Sequence, residues 1–156
     1  MFTRRHAVLG LTAASLAACG PGRPNAADAP PPGSIGWAIG GAWRIDAERD
    51  QYRHPLQTLL FWGLEGDMTV LEVLPGLGWY TSILAPYLHT NGGRLIAAQF
   101  DPASPSLAQR ETLAAWQARF DHNRELYGEI TRTAVTSRGA ALAPANSVDL
   151  AIIANS

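Results

Sequence analysis

Glu72 is a carboxylate placed inside the apolar run Val70-Leu71-Glu72-Val73-Leu74, and Gly76 and Gly78 follow it within one short turn. An unpaired buried carboxylate is costly, so Glu72 needs either a partner or a role. Pro75-Gly76-Leu77-Gly78 reads as a tight turn, in which glycine tolerates positive φ and lets a ligand approach the backbone closely. A helix starting just beyond would aim its free N–H groups and positive dipole end at that ligand. Acid, turn and helix start together are how α/β proteins hold a nucleotide-like cofactor. A nicotinamide fingerprint needs Gly-x-Gly-x-x-Gly, and here the third position is Thr81.

Other residues with chemical potential lie on either side. Tyr52, Arg53 and His54 stand just before a helical pattern. In one reading His54 caps that helix and Tyr52 packs on it. In the other, the segment folds over the cofactor as a lid, with Tyr52 and His54 contributing to a substrate pocket. Tyr80 reads, with Trp79, either as a packing residue or as a stacking platform at that pocket. The four histidines and the single cysteine have no metal-ligand spacing, so no metal is expected. There is no Ser/His/Asp or Cys/His signature, and no catalytic base is named.

The elements that must position these residues alternate. Pro55–Trp62 reads as a short helix, with Leu56, Leu59 and Leu60 on one face. Thr69–Leu74 has the near-continuous apolar character of a strand covered on both faces. Gly78–Leu88 is the following helix, which Pro86 should kink or shorten. Arg94–Phe100 is a second strand, and a long helix capped by Ser104 and opened by Pro105 runs to Phe120. Glu129–Thr136 is a weaker strand, and Ser147–Ala154 is a fourth. The alternation predicts an α/β fold, a Rossmann-like parallel sheet with helices on both faces and right-handed crossovers. Ligands of such sheets bind beyond the carboxyl ends of the strands, where Pro75–Gly78 falls.

Length and composition bound the answer. A chain of 156 residues, 47% hydrophobic and 16% charged, allows one globular domain. A net charge of −1 carries no nucleic-acid signal. Residues 1–18 are excluded from the fold: Arg4-Arg5 precede an apolar stretch typical of an export signal. Leu16-Ala17-Ala18-Cys19 resembles a bacterial lipobox, with the lone cysteine where a lipid would be attached. The expected location is therefore the periplasmic side of a membrane, anchored through lipid on Cys19. Residues 19–45, rich in Pro, Gly and Ala, are expected to form a tether, and 46–156 the folded part.

Tyr52-Arg53-His54-Pro55, Gly66-Asp67-Met68-Thr69-Val70-Leu71-Glu72, Pro75-Gly76-Leu77-Gly78-Trp79-Tyr80-Thr81 and Ile83–Leu88 together resemble class I S-adenosylmethionine-dependent methyltransferases. More narrowly, they are similar to predicted bacterial methyltransferases with a Pro-Gly-x-Gly-Trp-Tyr-Thr turn. The resemblance implies S-adenosylmethionine as cofactor, held by Glu72, Pro75, Gly76 and Gly78. It also implies an acid at the end of the second strand for the ribose hydroxyls. Gln99 occupies that place and Asp101 lies two residues on. Leu74 stands where the usual pattern has its first glycine. The family's sheet has seven strands against about four here. A truncated or degenerate fold, serving as a non-catalytic lipid-anchored binding or scaffold protein, is therefore the alternative expectation.

Overall fold

The computed structural model describes residues 29–44 and 46–154. Cys19 and the export signal lie outside the described residues. Four strands, β1 (Thr69–Val73), β2 (Arg94–Phe100), β3 (Ile130–Val135) and β4 (Leu150–Ile153), form one sheet in the order β3-β2-β1-β4. All three pairings are parallel. The chain is an α/β protein with a Rossmann-like sheet.

Register and the two-residue period of strands decide which side chains share a face. Glu72 aligns with Ala97 and Ile152, and Gln99 with Ala134. Val70, Glu72, Leu95, Ala97, Gln99 and Ile152 therefore share one face, and all six are buried. Helices α1 (Ile35–Ile39), α3 (Pro55–Phe61), α4 (Thr81–Asn91), α5 (Leu107–Phe120) and α6 (Arg124–Tyr127) complete that layer. Their Ala38, Leu59, Ile83, Leu84, Leu88, Trp116, Phe120 and Tyr127 form one apolar cluster with Val70, Leu95, Ala97 and Ile152. The expectation of helices on both faces is thus met on one face. From β3 the chain must return across β2 and β1 to reach β4, and the right-handed rule sends it over the other face. Residues 136–149 make that crossing without a helix. Ile153, on this thinly covered side, is 77% exposed.

Several element boundaries differ from expectation. Ser104 does not cap α5: Ser106 does, its hydroxyl accepting from the Gln109 amide. Ser104 instead donates its own hydroxyl to the Gln109 side chain. Helix α4 begins at Thr81 rather than Gly78, because Gly76 and Gly78 both take left-handed φ and cannot start it. Part of the expected tether belongs to the domain. Ser34 caps α1, Ala38 is fully buried, and α1 packs against α3 and α4.

Pro86 explains why that segment docks. It lies inside α4 and has no N–H, so the carbonyl four residues earlier, Ser82, loses its helical donor. The indole N–H of Trp43 donates to the Ser82 carbonyl at 2.9 Å. Helix α4 therefore runs on to Asn91 without being shortened. Trp43→Phe keeps the ring but leaves that carbonyl unpartnered, an expected loss of about 1–3 kcal/mol in urea denaturation. Adding Pro86→Ala restores a backbone donor, so the double variant should recover most of the loss. No recovery would refute this assignment.

Candidate functional site

The site is built where the chain reverses direction in the sheet. From β1 the chain steps to β2 and β3 on one side, whereas β4 lies on the other side of β1. The crevice beyond the carboxyl end of β1 is therefore a topological switch point, the usual ligand position in open α/β sheets. The turn 74–78 occupies it. Leu74, Gly76 and Gly78 have φ of 51°, 60° and 88°. The left-handed conformation costs a residue with a Cβ roughly 1–2 kcal/mol. At Leu74 the chain adopts a left-handed conformation without a glycine.

The two glycines do different things. Gly76 is half-buried beside Leu77, which is 56% exposed, so this part of the turn faces outward. Gly78 is enclosed. A Cβ there would lie 2.3 Å and 2.6 Å from ring atoms of Phe120 and 3.1 Å from Trp116. It is needed for the close approach of α5 to the turn. Pro75 is buried at the root of the turn.

Glu72 points into the helical layer and is 3% exposed. Its Oε2 accepts the Thr81 hydroxyl proton at 2.7 Å, and Thr81 Oγ1 in turn accepts from the Trp116 indole N–H at 3.1 Å. The Thr81 backbone N–H also donates to this carboxyl group. Burial raises the Glu72 pKa from 4.5 to about 7, and the hydrogen bonds from the Thr81 side chain and backbone pull it back only in part. Glu72 thus ties β1 to the first turn of α4. The rest of that helix start is also engaged. Ser82 N donates to Gly78 O, and Ile83 N and Leu84 N both donate to Tyr80 O. The amides of Ser82, Ile83 and Leu84 are therefore not the free helical donors that were expected.

Gln99 lies on the α5 side of β2 and is 2% exposed, and neither its Oε1 nor its Nε2 has a partner. It lines a cleft of about 250 Å³ with Pro102, Leu113, Gln117 and Arg132. Asp101 turns away into its own loop, its Oδ1 accepting from the Ala103 amide at 2.8 Å. It lines a separate cleft with Ser104 and Ser137, whereas Leu77 and Trp79 line a third with Asp46 and Arg49. The sequence-derived residues therefore share one end of the sheet but do not line one common cleft.

Tyr52, His54 and Tyr80 differ sharply in their surroundings. Tyr80 is a core residue, 5% exposed, stacked edge-on against Trp79 at 4.6 Å and tilted against Trp62 at 5.7 Å. Burial raises its pKa above the ordinary tyrosine value. Tyr52 is 78% exposed. His54 sits at the N-cap of α3 with a left-handed backbone and makes no side-chain cap. The segment that packs on Trp79 runs from Arg44 to Arg53, and its Arg44, Asp46 and Asp50 were missed by sequence reasoning. Trp79 donates its indole N–H to the Asp46 carbonyl at 3.1 Å. The guanidinium groups of Arg44 and Arg53 lie 5.3 Å and 5.0 Å from the Trp79 ring. Arg44 is itself fixed by a two-pronged ion pair with Asp50, at 2.6 Å and 2.7 Å.

The fold and the corner together define a Rossmann-like α/β protein with a glycine turn at the switch point. No family model matches the chain, and no curated protein matches it.

Proposed function

We propose that this chain is a lipid-anchored S-adenosylmethionine-dependent methyltransferase domain. The observation that carries the reading is the turn Leu74–Gly78, with three left-handed residues at the switch point of a parallel sheet ordered β3-β2-β1-β4. The residues present are compatible with the cofactor. Gly76 lets a ligand approach the backbone, and the unpartnered amide of Gln99 suits the paired hydroxyls of a ribose. One hydroxyl can donate to Oε1 while the other accepts from Nε2. When bound, the cofactor supplies an activated methyl group to an in-line nucleophile, so the protein's main task is positioning. Trp79, backed by the Arg44 and Arg53 guanidinium groups, walls the outer side of the turn. Glu72 acts through Thr81 as a positioning residue for α4. Lipid attachment at Cys19 would hold the domain at the periplasmic face of a membrane.

A second reading, a non-catalytic binding module on the same fold, is favoured by one observation. Gln99 is only 2% exposed and one oxygen of Asp101 is taken by a loop hydrogen bond, so neither group expected at the ribose is freely presented. Calorimetric titration of the folded chain with S-adenosylmethionine separates the readings. Gly76→Val, with a branched side chain at φ 60°, is expected to lower affinity at least tenfold by closing the turn. Circular dichroism would verify that the variant is folded. Unchanged affinity would remove the ligand from this turn, and no binding by the wild-type chain would remove the cofactor altogether.

A further inference from the structure

Tyr52, Leu60 and Phe61 are 78%, 58% and 86% exposed, and Leu56 is 38% exposed. Leu56 and Leu60 lie four residues apart on α3 and so share a face, with Phe61 at the helix end beside them. Tyr52 precedes them on the short helix α2 (Asp50–Arg53). Scattered apolar residues need no explanation, but an aromatic and leucine patch on one helical corner marks an interaction surface.

The position of the patch relative to the chain's proposed anchor identifies its occupant. Helix α1 packs against α3 and α4, so the chain enters the domain next to α3. Ten residues separate Ala29, where the described chain begins, from Cys19, a reach of at most about 35 Å when fully extended. A lipid on Cys19 therefore keeps a bilayer within contact distance of α3 and at high effective concentration. Tyrosine, phenylalanine and leucine are the side chains that enter the boundary between headgroups and acyl chains. We infer that α2 and α3 form a membrane-docking face, with Leu56, Leu60, Phe61 and Tyr52 inserted into the interfacial region of the bilayer. This rests on the lipid-anchor reading, and the anchor alone would leave the domain's orientation undefined.

The test uses the full chain in its lipidated form, in which Cys19 is blocked, reconstituted into phosphatidylcholine–phosphatidylglycerol vesicles. A nitroxide is attached to Gln57→Cys on α3 or, as a reference, to Ala114→Cys on the exposed side of α5. Oxygen collisions at the Gln57 label are expected to exceed those at the Ala114 label about threefold. In the Leu60→Asp/Phe61→Asp background they should fall to the reference value while the chain still sediments with the vesicles. A chain that sediments but shows equal, aqueous labels overturns the docking face alone. A chain that stays in the supernatant overturns the anchor and the docking face with it. Spin–spin broadening between Gln57 labels would assign the face to a second copy of the chain and equally overturn the proposal.

Discussion

Asp50→Ala is expected to destabilise the domain by about 3 kcal/mol, the lower end for breaking a buried ion pair. The reason lies in what it leaves behind. The Arg44 side chain is 1% exposed and Asp50's is 25% exposed, so water can reach one partner and not the other. Arg44 already has an unpartnered Nε, and its terminal nitrogens depend on the Asp50 carboxylate and the Ile39 carbonyl. Without Asp50 a full positive charge stays in the interior with one carbonyl to receive it. The same charge lies against Trp79, whose indole is tied to the Asp46 carbonyl, so the packing on Trp79 should loosen with it. Urea denaturation gives the loss in stability, and quenching of tryptophan fluorescence by acrylamide reports the loosening. Arg44→Met combined with Asp50→Leu removes both charges and should regain most of the loss, because apolar replacement of a buried pair is often neutral. A cycle in which the double variant is as unstable as the sum of its singles would show that the pair is not coupled.

How far the sequence foretold this arrangement depended on the range of the interaction. Strands β1 and β2 were legible because runs such as Leu95-Ile96-Ala97-Ala98 carry their own signal, and the turn was legible from its glycines. The roles of those glycines were not. Gly78 meets Phe120, 42 positions along the chain, and no local pattern announces that contact. Glu72 stood out as an acid in an apolar strand, yet its partner Thr81 drew attention only as a missing glycine. The Pro/Gly/Ala-rich stretch before residue 45 looked like a tether on composition. Its residues 29–44 dock on the domain, and one reason is that Pro86, far away, frees a carbonyl that Trp43 reaches. Pro86 was the available clue, since a proline within a helical pattern creates an unpaired acceptor that something must satisfy. Tyr80 had two readings, packing or a place at the pocket, because its position beside the turn did not reveal which way the ring points; Trp62 and Trp79 draw it inward.

Glu72→Gln is expected to flatten the pH dependence of stability between about pH 4.5 and pH 7 and to stabilise the domain at pH 8. The carboxyl group's ordinary value of 4.5 is raised to about 7 in the fold, chiefly by desolvation. Between those two values the native state holds a proton that the unfolded chain has released. Stability therefore falls as pH rises through that window and is level above it. The full change corresponds to about 3 kcal/mol for this one group. Glutamine keeps the shape and an oxygen to accept from the Thr81 hydroxyl but carries no charge at any pH, so the wild-type loss should vanish. Denaturation at pH 5 and pH 8 gives the contrast directly, and the difference between wild type and variant cancels every other titrating group. Thr81→Val supplies an internal check with the opposite sign of effect. It removes a hydrogen bond that favours the charged form, so the pKa should rise further and the wild-type fall should deepen. If Glu72→Gln and wild type lose stability in parallel between pH 5 and pH 8, the carboxylate is not held where the structure has it. The cradle would then lack the strut that ties β1 to the first turn of α4.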